Sequence, residues 1–598
     1  MAGPEYNVDS SREAIMRIPR WSGSRSVVSG LLKPTSFSIA PLTFLLLLSS
    51  LLFLPGCNSR NGTEDRAGQQ APADSIELLF TYGSEKERWI NEVTDKFNRE
   101  DHRAPGGKRI FVRAVPMGSG ELIAEILDGT RQPHLISPAS SAYIKLGNAQ
   151  SQTKSGKELI GSTDNLVLSP VVIAMWKPMA EAIGWGKKPI GWSDILSLAT
   201  NQRGWAAYGY PQWGQFKFGH THPEYSNSGL ISLFAEVYAA TGKTAGLTVA
   251  EVDKPHTAQF VEGIERSMVH YGSSTGFFGR KMFASGPQYL SAAVLYENMV
   301  IESYESLEKL PFPVVAIYPK EGTFWSDHPV GVVNREWVTP AHREAAKVYI
   351  QYLLDRPQQE RAMTYGFRPG AVDIPPAAPI DTAHGVDPKE PKTTLEVPPV
   401  PVMDAILKLF AQTKKAANVV LVLDISGSMN EDHKIQNARE GAKQLVNLMS
   451  PADRLSLVPF SSQISWASTD VPISTGRDNL LNTVGSLYAQ GGTALYDAID
   501  AGYDHLLEQE KQGQNDRILA VVVLTDGADT ESKLKLNELM ERIRYDGETR
   551  AIHVFTIAYG NDAKKDVLKQ ISEATQANSY VGTPQNIVGV FRDISTFF

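Results

Sequence analysis

Three features of the sequence predict an α/β protein of more than one module. Short apolar runs alternate with amphipathic stretches over 75–372. The same alternation resumes over 415–598, and a proline-dense stretch separates the two blocks. In the second block the run 419–423 has the length and β-branched content of a fully buried strand, which predicts a doubly wound, mostly parallel sheet covered on both faces. At 598 residues the chain also exceeds what one hydrophobic core organises.

In chain order, the first element is not part of a fold. The run 42–54 is apolar apart from Thr43, Ser49 and Ser50, and it follows Arg12, Arg17, Arg20, Arg25 and Lys33. It is short for a membrane span and has the layout of a secretory signal. Leu54-Pro55-Gly56-Cys57 resembles the lipobox of bacterial lipoproteins, which implies a signal peptide over 1–56, lipidation of Cys57 and a flexible tether over 57–74. Cys57 is the only cysteine of the chain, so an intramolecular disulfide is excluded.

From 75 onward the α/β rhythm begins. Strands are predicted at 76–81, 110–115, 166–176 and 314–318, and helices at 85–99, 121–127 and 341–354, the last capped by Thr339 with Pro340 in its first turn. Gly83-Ser84, the serines of 137–141 and 226–229, and the apolar run 293–301 give this block a resemblance to the periplasmic solute-binding proteins of ABC importers, of the type (type II) with two α/β lobes and a double crossover. The resemblance implies one lobe over about 75–166 plus 316–368, the other between them, and ligand in the cleft.

Ser84, Ser119, Ser140 and Ser228 stand where turns enter helices, whose free N–H groups favour anions, so they are candidates for contacting a small anionic or polar solute; each serves equally well as a plain helix cap. The aromatic stretch Trp205, Tyr208, Tyr210, Trp213, Phe216, Phe218 suits a sugar platform or, preferably, the cover of a strand or lobe interface. Gly272-Ser273-Ser274-Thr275-Gly276 matches a nucleophile-elbow string without a convincing preceding strand, and His220, His222 and Glu224 lie close enough in sequence to suggest a transition metal without a clear third arm.

Pro375, Pro376, Pro379, Pro388, Pro391, Pro398, Pro399 and Pro401 mark 373–414 as a linker, expected to be an extended, semi-rigid spacer, with a short helix at 403–413.

The last block, 415–598, opens with the buried strand 419–423 and the turn Asp424-Ile425-Ser426-Gly427-Ser428. Ile435, Ala438, Ala442, Leu445 and Met449 then mark one face of a helix. A strand at 455–460, a helix opened by Gly491-Gly492-Thr493, a strand at 518–524 ending in Thr525-Asp526-Gly527, a strand at 551–558 and a helix at 563–574 complete the pattern. Carboxylates and hydroxyls leaving parallel strands stand where open α/β folds place ligands, and five oxygen side chains suit a hard divalent cation, Mg²⁺ first, with Mn²⁺ or Ca²⁺ as substitutes.

Asp424-x-Ser426-x-Ser428, Gly492-Thr493 and Thr525-Asp526-Gly527 together resemble the von Willebrand factor A (VWA) domain and its metal-ion-dependent adhesion site. That resemblance implies that Ser426, Ser428 and Thr493 touch the metal, while Asp424 and Asp526 act directly or through water.

A formal charge of −8 without a long basic run argues against nucleic acid as partner. The expectation is a non-enzymatic cell-envelope protein, anchored to the membrane by lipid. Its metal site would accept an acidic residue of a protein partner, and its cleft a small solute. The alternative is the substrate-binding receptor of an ABC transporter.

Overall fold

In the last block, Ala417–Asp424 lies at the centre of a six-stranded sheet, and its burial follows from its content: every residue of the strand is buried. Arg454–Phe460 pairs with it in parallel on one side and Ile518–Thr525 on the other; Ile552–Tyr559 and Ser579–Gly582 extend the sheet in parallel, and Ser468–Pro472 adds one antiparallel edge. The two-residue period of the central strand divides it between two cores. Val420 and Val422 pack with Leu495, Ile499 and Leu506 of one helix, while Val419, Leu421 and Leu423 face the opposite layer with Ile435, Ala442 and Leu445. The strand order reverses direction between Ala417–Asp424 and Ile518–Thr525, so the carboxyl ends carrying Asp424 and Asp526 flank the switch point of the sheet.

The computed structural model describes residues 71–370, 373–512, 516–544 and 552–598. The expected signal peptide, Cys57 and most of the 57–74 tether lie outside them. Among the described residues, no helix is long and apolar enough to cross a membrane.

The first block forms two lobes. In one, Ser75–Gly83 pairs in parallel with Arg109–Met117 and Leu135–Ser137, and Pro329–Val333 and Ile160–Asn165 complete the sheet. In the other, Val167–Trp176 is the axis against which Ala292–Tyr296, Val314–Ile317 and Trp325–Ser326 run antiparallel. The return to the first lobe therefore falls after Trp325–Ser326, not at residue 316 as expected. Val314–Ile317 is buried throughout, and a run without polar alternation carries no mark of the sheet it joins.

The proline-dense segment is not a free spacer. Ile380, Val386 and Leu395 are buried, Leu395 N donates to Thr323 O at 2.9 Å, and Ala316 N donates to Gly385 O at 2.8 Å. The Arg368 guanidinium, paired with Glu297 at 2.7 Å, also donates to the carbonyls of Pro388 and Glu390. Proline deprives a strand of donors but leaves its carbonyls, and a buried arginine satisfies these without a ladder. The segment ends in the helix Val400–Thr413, whose Val402, Met403, Ile406, Leu409 and Phe410 are buried against the helices Asn227–Thr241 and Pro255–Glu265. One apolar core then runs from the second lobe through this helix into the last sheet.

Candidate functional site

The candidate metal centre is assembled from three loops at the carboxyl edge of the last sheet. Asp424 ends the central strand fully buried; its Oδ1 accepts from Ser426 N at 2.8 Å and its Oδ2 from the Thr525 hydroxyl at 2.6 Å. The Ser426 and Ser428 hydroxyls lie 3.1 Å apart, and Ser428 donates to Asp526 Oδ1 at 2.8 Å. The third loop is pinned to the first by Gly427 N donating to Gly491 O at 2.9 Å and Gln490 N to Ile425 O at 2.6 Å. Gly491 takes a φ of +85°, which lets the loop turn tightly there. Thr493 follows, held by its backbone between Thr530 and Glu531, with its hydroxyl toward Gly527.

The five residues expected to gather from sequence are thus brought to one place, with Gly427 and Gly491 exposed at the rim and Asp424 and Asp526 buried beneath. Burial pushes the Asp424 carboxyl up to about 6, and the neighbouring Asp526 adds to the rise, against the hydrogen bonds from Thr525 and Ser426. An all-oxygen donor set whose buried carboxylate is raised by an adjacent negative charge fits a hard divalent cation, which removes that penalty.

The cleft of the first block is closed by direct contact between its lobes. Gly120 N and Glu121 N, at the start of the helix Ser119–Asp128, donate to Tyr225 O of the other lobe at 2.8 and 3.2 Å. A Cβ on Gly120 would stand 1.9 Å from Glu224 O. All four candidate solute serines have intramolecular partners. Ser84 Oγ meets Ser274 Oγ across the lobes and accepts from Gly276 N, Ser119 Oγ accepts from Ala139 N, Ser140 Oγ caps its helix through Ala142 N, and Ser228 Oγ meets Thr221 and Thr275. Next to Ser84, fully buried Lys86 bonds Glu85 at 2.7 Å and His328 at 3.0 Å. Burial alone would raise the Glu85 carboxyl, but Lys86 and His328 outweigh it and hold it at about 2.

Compared with known proteins, residues 418–591 match the family model of the von Willebrand factor type A domain and residues 78–368 that of the bacterial extracellular solute-binding protein. The chain joins a solute-binding domain to a C-terminal VWA domain. Over the VWA domain it is 26% identical across 182 residues to an uncharacterized protein of Synechocystis sp., covering 30% of this chain and 40% of that protein. It is 27% identical across 164 residues to human inter-alpha-trypsin inhibitor heavy chain H4, covering 27% and 17% respectively. The chain therefore spans less than half the length of these relatives. The solved structure of the sulfate-binding protein SubI from Mycobacterium tuberculosis is similar at 17% identity, over 52% of this chain and 93% of that one, with a TM-score of 0.35.

The VWA site contains one residue that pattern reading missed. Lys434, at the start of the helix Lys434–Leu448, places its ammonium 2.7 Å from Asp526 Oδ2. Burial would lower its pKa, but the hydrogen bond and charge of Asp526 outweigh it and the net shift is upward. A lysine at a helix start reads as solvated, so no local signal exposes it.

In the solute-binding domain, Ser274 occupies the N-cap position of the helix Thr275–Ser285 without a side-chain cap, and its hydroxyl pairs with that of Ser84. The aromatic stretch covers the flank of the second lobe: Trp205 is buried, bonded to Ser291 and edge-on to Trp213, while Tyr210 stacks on Trp213. His220 pairs with Glu265, 2.9 Å distant.

Proposed function

We propose that this protein is a lipid-anchored component of the cell envelope whose VWA domain binds a protein partner through a divalent cation, Mg²⁺ or its substitutes Mn²⁺ and Ca²⁺. The observation that carries this is the convergence of Asp424, Ser426, Ser428, Thr493 and Asp526 from three loops onto one edge of the sheet, with an exposed glycine rim. Bound there, the cation would find five protein oxygens against the six it prefers, so a carboxylate from outside completes its oxygen shell. Asp424 anchors the turn, the Ser426 and Ser428 hydroxyls lie side by side between it and Asp526, and Asp526 is oriented by Ser428 and Lys434. Asp424→Ala or Ser426→Ala is expected to abolish Mg²⁺-dependent capture of the partner from envelope extracts. Capture that persists in chelator would refute the proposal. The anchor is tested separately, since Cys57→Ser should shift the protein from the membrane to the soluble fraction.

A second activity, binding of a small polar solute between the lobes, is favoured by a specific observation. Among the described residues, Asn227 Oδ1 and His328 Nε2 are buried without hydrogen-bond partners at the lobe junction, bridged by Tyr296, and Ser137 Oγ is likewise unpartnered at the carboxyl end of the first-lobe sheet. Buried polar atoms left unpaired are costly, and a ligand that pairs them gains that energy. Thermal-shift screening against small oxyanions and sugars should raise the melting temperature for at least one class. A melt that no such solute moves would remove this activity.

A further inference from the structure

A second cluster of ligand-type side chains lies away from the VWA site, at the base of the second lobe. His220, Glu236 and Glu265 are each fully buried, and one ligand atom from each lies within 4.8 Å of the others. They come from the segment after Phe218–Gly219, the helix Asn227–Thr241 and the end of the helix Pro255–Glu265. Each is fixed from behind. His220 Nδ1 is 2.7 Å from Thr221 O, a carbonyl that only accepts, so Nδ1 carries the proton and Nε2 turns its lone pair inward unless the ring is doubly protonated. Glu265 Oε2 accepts from the Tyr271 hydroxyl, and Glu236 Oε1 from Ser232 at 2.9 Å. That leaves Nε2 2.9 Å from Glu265 Oε1, and Glu236 Oε2 buried with no hydrogen-bond partner among the described residues.

The arrangement is short of positive charge. Even a charged imidazolium balances only one of two buried carboxylates and donates nothing to Glu236 Oε2. A dication facing a neutral imidazole balances both and gives each inward atom a partner. Histidine held by a backbone carbonyl and carboxylates held by hydroxyls are also the outer-shell pattern of metal ligands. We infer that His220, Glu236 and Glu265 form a structural site for a divalent transition ion of the Zn²⁺ or Mn²⁺ class, whose nitrogen-and-oxygen donor set distinguishes it from the all-oxygen VWA site.

The position gives the site a purpose. Tyr271, which holds Glu265, accepts from Lys415 N at 3.2 Å and donates its own N–H to Phe597 O at 3.1 Å, while Phe410 packs edge-on to its ring. Lys415 and Phe597 lie at the two ends of the VWA domain, so a metal that orders Glu265 and Tyr271 braces the seam between the domains.

The test uses the full chain carrying Asp424→Ala, which disables the VWA site, expressed with added Zn²⁺ or Mn²⁺ and dialysed against Mg²⁺. Elemental analysis should find about one equivalent of transition metal per chain. Adding Glu236→Gln should reduce it at least roughly tenfold, and His220→Gln, as a second variant in case the first does not fold, should do the same. Co²⁺ substitution should give visible absorption bands that both variants lose. Asp424→Ala protein that holds no transition metal, or a folded Glu236→Gln protein that retains its parent's metal content, would overturn the inference in favour of a proton shared between the two carboxylates.

Discussion

Lys434 commits a full positive charge to Asp526, the same carboxylate that the proposed metal site uses. Where an ammonium and a dication share one carboxylate, each weakens the other. Lys434→Gln is therefore expected to raise Mg²⁺ affinity roughly tenfold by calorimetry, because it removes the competitor while keeping a polar side chain. A drop in affinity would mean that the lysine chiefly positions Asp526. Asp424 is the opposite case: fully buried with both oxygens already accepting hydrogen bonds, it anchors the turn. Asp424→Asn should thus lose metal while the fold remains, which circular dichroism measured beside the calorimetry would show.

Among elements, the start of the helix Ser119–Asp128 decides the geometry of the cleft. Its free N–H groups, a ready anion site on sequence grounds, are taken by the Tyr225 carbonyl, and the absence of a side chain at Gly120 allows that approach. A methyl at this position meets backbone on the opposite lobe, where no rotamer can yield. Gly120→Ala is expected to destabilise the closed arrangement by about 1–3 kcal/mol, visible as an increase in radius of gyration by small-angle scattering. An unchanged scattering profile together with an unchanged melting temperature would show that the contact is dispensable. The segment 373–399 follows the same logic of satisfied backbone: its carbonyls are collected by Arg368, so a stretch composed like a linker behaves as part of the lobe.

At the scale of the molecule, the VWA domain is docked on both lobes. Phe597 O receives Tyr271 N of the second lobe, while Arg592 lies 3.8 Å from Glu125 and 3.9 Å from Asp128 of the first. Near Arg592, Glu121 and Asp593 feel each other's charge across the domain boundary. Burial first, and then the charge of Glu125, push the Glu121 carboxyl up to about 7; burial and the charges of Glu121 and Glu125 raise Asp593 well above the carboxylate range. A carboxyl whose pKa is raised on folding stabilises most below its unfolded value near 4.5, and that stability is lost as pH rises through about 7. The loss is on the order of 3 kcal/mol for Glu121. Glu121→Gln should therefore make the change in melting temperature between pH 5 and pH 8 less negative than in the parent chain; equal pH dependence in both proteins would contradict this contribution. Because one apolar core continues from lobe to VWA domain, the two are also expected to melt together in a single calorimetric transition.

Local pattern alone was enough to read the α/β class, the doubly wound last domain and the polar turns carrying Asp424, Ser426, Ser428, Thr493 and Asp526 that meet at one edge of its sheet. A buried strand and the polar turn that leaves it are consecutive in the chain, and the sheet topology then brings three such turns to one edge. Lys434 at that edge, the His220–Glu236–Glu265 cluster, the lobe to which Val314–Ile317 belongs and the docking of the proline-dense segment were decided only in three dimensions. Each depends on which distant backbone or side chain satisfies a buried charge, lone pair or carbonyl, and such pairings leave no periodicity or spacing in the sequence.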